Sequence, residues 1–180
     1  YVIFNLNKIN DYKYVLVDTV STIGNFGIAI ETIDKINNQN FDYGIYQIEL
    51  LIDNKLIYKL KFEKYDFNQD PLIYKELDFS LLNELSKKYH KLFKNKDINL
   101  DFIHPQSLES IILDENYHNL IINISDINNN KIQVQGVLKG DFISNPQLNF
   151  NTKNSILFSK SGFQNLIFNY TTRYQDSKLF

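Results

Sequence analysis

The sequence predicts a mainly β protein: an immunoglobulin-like β-sandwich with one inserted amphipathic helix, followed by part of a second small β unit. Three observations carry this expectation. Apolar and polar residues alternate with a period of two over several short segments separated by turn residues. Ala29 is the only alanine, while Ile, Val, Tyr and Phe abound, a composition that suits strands. A single stretch, after Pro71, changes to helical spacing. This reading places the sandwich at residues 1–140, its helical insert near 71–96, and the start of the second unit at 141–180.

The segments "YKYVLVDTV" (12–20) and "GIAIETID" (27–34) alternate on either side of the turn "STIGNFG", where Gly24 and Gly27 can supply a positive φ. A polar loop over 34–44 leads to "YQIELLIDNKLIYKLKF" (46–62), a hairpin turning at Asp53-Asn54. Tyr46, Ile48, Leu50 and Ile52 form one apolar face, and Leu56, Tyr58, Leu60 and Phe62 the other. Both sets are even-numbered, so a regular two-residue loop pairing Ile52 with Lys55 would put Lys59 and Lys61 on the apolar face. A three-residue loop or a bulge restores the match, and the bulge is the expectation. The alternative is an edge strand whose lysines discourage pairing with other chains.

Leu81, Leu82, Leu85, Tyr89, Leu92 and Phe93 recur at helical spacing, with Asp78 or Ser80 as cap and Lys91, Lys94 and Lys96 at the negative end of the dipole. Strand patterns return at 110–114, 117–126 and 131–138, and short strands are expected again within 148–170.

Charge and composition exclude several classes. Nineteen basic and twenty-one acidic residues leave a net charge of −2, with no basic block for nucleic acid or an anionic membrane. Arg173 is the only arginine, so bidentate phosphate recognition has almost nothing to work with. The absence of cysteine removes disulfides, thiolate zinc sites and cysteine nucleophiles. No apolar run approaches a membrane span of about 18 residues. The chain starts at Tyr1 without any methionine and reads as a fragment of a longer polypeptide.

Chemistry-bearing patterns are sparse. His90, on the outer part of the expected helix, His104 before Pro105, and His118 at a strand start lack a second histidine at zinc-ligand spacing. Asp101 lies three residues before His104 and Asp114 four before His118, neither a distinctive spacing. "DINNNK" (126–131) has the oxygen ligands of a calcium loop at Asp126, Asn128 and Asn130. However, Lys131 holds the glycine position and Val137 the bidentate glutamate position, so it reads as a turn. Glu49, Glu63 and Asp66 are not set apart as an acid/base pair, and Ser155, Ser159 and Ser161 lack a histidine or nucleophile elbow. No catalytic or metal residue is therefore expected in this chain. Tyr43, Tyr46, Tyr58 and Tyr65 cluster around the hairpin and are the candidate binding surface, since tyrosines can stack on sugar rings.

The order of several motifs over residues 12–140 resembles the region following the catalytic domain in envelope zinc endopeptidases of the lysostaphin/LytM type, metallopeptidase family twenty-three, in their long Bacteroidota form. A glycine-flanked turn and "GFGI…D" strand are matched by Gly24, Phe26, Gly27, Ile28 and Asp34. A "G-V/I-Y" strand and short turn are matched by Gly44-Ile45-Tyr46 and Asp53-Asn54-Lys55. An aromatic-rich segment is matched by Tyr65 to Asn68, Tyr74 and Asp78-Phe79, a helix ending by Leu92-Phe93, and a late turn by Ile124 to Asn130. The chain departs from the pattern at Gln69-Asp70-Pro71 and at Asn129, where the family has Glu-Thr-Arg and glycine.

The resemblance implies a non-catalytic accessory sandwich of an enzyme that hydrolyses peptidoglycan cross-bridges in the periplasm or cell envelope. It implies that zinc sits in a catalytic domain elsewhere in the same polypeptide, because the zinc-binding H-x-x-x-D and H-x-H motifs are absent here and this chain needs no cofactor. Expected partners are that catalytic domain and peptidoglycan or an envelope protein. The alternative is a stand-alone immunoglobulin-like carbohydrate-binding or adhesion module.

Overall fold

In a computed structural model, the residues described are 2–32, 34–35, 42–64, 72, 74–97, 99–141 and 164–169. The fold is mainly β and sandwich-like, with a short helix. The strands are β1 (Val2–Asn10), β2 (Lys13–Leu16), β3 (Val20–Ile23), β4 (Phe26–Glu31), β5 (Asp34–Lys35), β6 (Asp42–Tyr43), β7 (Gln47–Ile52) and β8 (Lys55–Lys61). Helix α1 (Phe79–Leu85) precedes β9 (Tyr89–Lys91), β10 (Tyr117–Ser125), β11 (Lys131–Asp141) and β12 (Gln164–Asn169). The pairing path runs β8-β7-β10-β11-β2-β1-β12-β4-β9, with β3 also on β11, while β5 and β6 pair apart.

Strand β1 carries the path from one sheet to the other. Its first residues, Val2–Asn5, pair in parallel with β12, and its later residues, from Leu6, pair antiparallel with β2. Its alternation is visible in Val2, Phe4 and Leu6, which are half-buried, between exposed Ile3 and Asn5. The sequence reading did not assign this strand, because polar residues follow Leu6 immediately.

The core is built from cross-strand rungs. Tyr58 faces Leu50, Leu50 faces Ile122, Ile122 faces Val134, and Val134 faces Tyr14. All five are almost wholly buried. The adjacent rung shows the opposite chemistry: Lys59 faces Glu49 with Nζ 2.9 Å from Oε1, Glu49 faces Asn123, and Asn123 faces Gln133 with a 3.0 Å side-chain hydrogen bond. A period of two, held in register across five strands, therefore separates core from surface.

The hairpin resolves its mismatch with a two-residue loop and a bulge together. Ile52 pairs with Lys55 across Asp53 (φ 49) and Asn54 (φ 63), the positive-φ pair of a type I′ turn. The register then shifts, with Leu51 opposite Leu56 and Leu50 opposite Tyr58, so Ile57 is the extra residue. Tyr58 and Leu60 return to the core and Lys59 to the polar face. Strand β8 does end the pairing path, but its free edge is closed by the segment 102–108 rather than guarded by lysines alone. Lys61 N–H donates to Phe102 O (2.8 Å), His104 N–H to Lys59 O (2.9 Å) and Leu108 N–H to Ile57 O (2.9 Å).

Three expectations are corrected. The helix is much shorter than 71–96. Asp78 caps it, Oδ1 accepting from Ser80 N (3.1 Å) and Leu81 N (3.2 Å), and Ser86 ends it in the left-handed region at φ 55. The residues after Ser86 then take up β pairing: Tyr89, His90 and Lys91 align with Glu31, Ile30 and Ala29. Tyr89 is more deeply buried there, with Leu81 and Ala29, than a helical surface position would allow. His90 thus sits on an edge strand, and Lys91, Lys94 and Lys96 serve no helix dipole. The second correction concerns 110–114, where only Ile111 bridges, to Phe26. Third, 12–20 is not one strand, since β2 and β3 pair separately with β11. Of the turn glycines, Gly24 has a positive φ (64), whereas Gly27 lies inside β4. Within the expected second unit, the described residues are Asp141, which ends β11, and Gln164–Asn169, which pairs with β1 and β4.

Candidate binding depression beside β9

The segment 76–78 runs along the outer edge of β9 and occupies its backbone. Lys91 N–H donates to Glu76 O (3.1 Å), Asp78 N–H to Tyr89 O (2.9 Å), and Leu77 bridges His90. This pairing carries Tyr74 and Lys75 to one side and Phe79 and Ser80 to the other. Between them and Lys91, Phe93 and Asn95 lies an open depression of about 570 Å³. That size lies within the range of small-ligand sites.

The floor is polar. The Glu76 carboxylate, 2% exposed, lies 2.6 Å from His90 Nδ1. A buried carboxylate requires such a partner, since an isolated charge in that position would be strongly destabilising. Burial lowers the Lys91 ammonium pKa, and the charges of Asp78 and Glu76 partly oppose the shift. Lys75, Glu76, Lys91, Phe93 and Asn95 also line a narrower recess closed by Tyr58, Leu100 and Ile103. The Tyr58 hydroxyl is buried there without a hydrogen-bond partner among the described residues, and burial followed by the Glu76 charge raises its pKa well above the ordinary phenol value. Tyr74 and Phe79, 60% and 59% exposed, stand at the rim.

Of the four tyrosines singled out in the sequence, two have described side chains. Tyr58 is fully buried and turns to the recess; Tyr46 is half-buried, with Lys61 Nζ 5.6 Å from its ring centroid. Tyr43 is described as part of β6, opposite Asp34, and Tyr65 lies outside the described residues. Asp66 and the serines at 155, 159 and 161 also lie outside them. Glu49 pairs with Lys59 and Glu63 with Lys61, as solvated strand faces do. Sequence reasoning missed Tyr74 and Phe79 as a pair. Their signal was two apolar side chains that fit neither a helix face nor an alternating strand.

A second cluster joins residues far apart in sequence. His118 places Nδ1 2.6 Å from Asp53 Oδ2 and Nε2 2.9 Å from Asp114 Oδ1. The second oxygen of Asp53 accepts from Asn119 N (2.8 Å). The hydrogen bond to Asp53 leads the rise in the His118 pKa, and the His118 bond leads the fall in that of Asp53. Asp114 is held low first by the Asn116 N–H and then by His118. An imidazole donating from both nitrogens is an imidazolium with no lone pair for a metal. The cluster ties the β7–β8 turn to the start of β10. No group of three histidine, aspartate or glutamate side chains among the described residues could hold a metal ion. His104 lies apart, its Nδ1 accepting from Gln106 N at 3.3 Å. The 126–131 segment is a turn in which Asp126 accepts from the backbone (2.8 Å) and side chain (2.6 Å) of Asn130.

No helix among the described residues is long and apolar enough to cross a membrane. Comparison with protein-family models, curated proteins and solved structures found no match to this chain.

Proposed function

We propose that this chain is the non-catalytic accessory β-sandwich of a cell-envelope zinc endopeptidase that cleaves peptidoglycan cross-bridges. In this reading it positions a catalytic domain carried elsewhere in the same polypeptide, and that domain holds the zinc. The supporting observation is the coincidence of three turns with the motif order that resembles the LytM-type proteins. Gly24, Asp53-Asn54 and Asn129 all adopt positive φ at the places where those motifs require turns. The location in the periplasm or envelope belongs to the same reading.

The second reading, a stand-alone carbohydrate-binding or adhesion module, draws on the exposed aromatic pair at the depression. The parent polypeptide distinguishes the two. The first reading requires an H-x-x-x-D motif followed by H-x-H about a domain's length upstream of Tyr1. It also requires that the longer polypeptide release peptides from purified peptidoglycan, and that deleting residues 12–140 impair this release. An upstream sequence without those motifs, or activity indifferent to the deletion, overturns it.

A further inference from the structure

We propose that the depression beside β9 is a saccharide-binding site, taking a neutral β-linked glycan with one pyranose against Phe79 and Tyr74. A pyranose has an apolar face of C–H groups and a rim of hydroxyls. Its recognition calls for exposed aromatic surface beside hydrogen-bonding groups at the base of a concave site. Single exposed apolar residues need no explanation, but two aromatics flanking one depression do. Lys75, Ser80, Lys91 and Asn95 line the same depression and carry hydrogen-bond donors. The Tyr58 hydroxyl, fully buried and without a hydrogen-bond partner among the described residues, lines the narrower recess that shares Lys75, Lys91, Phe93 and Asn95 with the depression. That recess, of about 10 Å³, has room for one ordered water at most, which would satisfy the hydroxyl and remove the cost of an unpaired buried group.

The surroundings argue against other ligands. A phosphate would meet the carboxylates of Asp78 and Glu76 beside Lys91, and no arginine among the described residues lines the depression. A peptide adding as a strand would find the outer edge of β9 already bonded to residues 76–78. The assignment is independent of attachment to a peptidase, because a positioning module need not hold sugar.

The test is titration of the 180-residue chain with chitotetraose and, separately, cellotetraose, followed by amide chemical shifts. Saturable binding to at least one, with a dissociation constant of about 1 mM or tighter, is expected. Phe79→Ala and Tyr74→Ala should each weaken it by roughly tenfold or more, and Phe79→Trp should preserve it. Tyr117→Ala, at a residue equally exposed but off the depression, should leave it unchanged. An unchanged thermal transition in each variant shows that folding is intact, as expected for exposed side chains. Absence of saturation with both sugars, or binding indifferent to Phe79 and Tyr74, overturns the proposal and leaves the scaffold reading standing.

Discussion

At His118 one imidazole lies between two carboxylates, 2.6 Å from Asp53 Oδ2 and 2.9 Å from Asp114 Oδ1. The raised pKa of His118 means that its stabilising contribution is complete below about pH 6.5, the unfolded value, and is lost as pH rises through the folded value. Asp53 and Asp114, both lowered, behave oppositely: their contributions are complete above about pH 4 and are lost as pH falls through their folded values. The advantage of the wild-type chain over His118→Gln in thermal midpoint should therefore shrink between pH 6 and pH 9. An equal difference at both would mean that the imidazolium is not what joins the segments. Gly140 makes a different residue-scale case. A Cβ there would press into the carbonyl oxygens of Leu113 and Asp114, to the second of which Gly140 N–H donates at 2.9 Å. Gly140→Ala should cost about 1–3 kcal/mol in urea denaturation. Gly136→Ala should cost less, because there the nearest atoms to the Cβ belong to the Leu16 side chain, which can shift more readily than backbone. Equal losses would contradict this account.

The elements differ in how plainly the sequence announced them. Helix α1 was visible in Asp78 and Leu81, but its end was not, because Tyr89, Leu92 and Phe93 continue the helical spacing after the chain has turned at Ser86. Strand pairing with β4 buries Tyr89 completely, and that tertiary gain outweighs a local pattern. The hairpin was legible down to its bulge, since the parity of Ile52 and Tyr58 forces one extra residue wherever the turn is short. The Asp78 cap is the most exposed part of this account at the element scale. Asp78→Ala should destabilise the chain by about 1 kcal/mol through the loss of two N–H partners. Asp78→Asn should retain most of the stability, because the side-chain oxygen that accepts them remains. If both variants lose equally, charge near Lys91 matters more than the cap.

Across the whole molecule, the sandwich class followed from alternation, but the long-range pairings could not. Parallel ladders such as β1–β12 and β4–β12 join residues more than a hundred positions apart, and no local pattern encodes them. The depression beside β9 was likewise hidden, because it needs the β9–Leu77 bridge before Tyr74 and Phe79 share a rim. Tyr58, singled out for the surface, is drawn into the core by the same parity rule that revealed the hairpin. The position of β12 between β1 and β4 has a direct consequence. Ending the chain after Asp141 should uncover both neighbours, lower the thermal midpoint and increase binding of a hydrophobic dye. An independent unit at 141–180 would instead leave the midpoint unchanged.

The proposal that this polypeptide positions chemistry rather than performing it has one decisive assay. The purified chain, supplied with equimolar zinc and then dialysed, is incubated with peptidoglycan sacculi while retained metal and released peptides are both measured. The account predicts no stoichiometric zinc and no peptide release above buffer alone. One zinc per chain together with cleavage of the cross-bridges would contradict it.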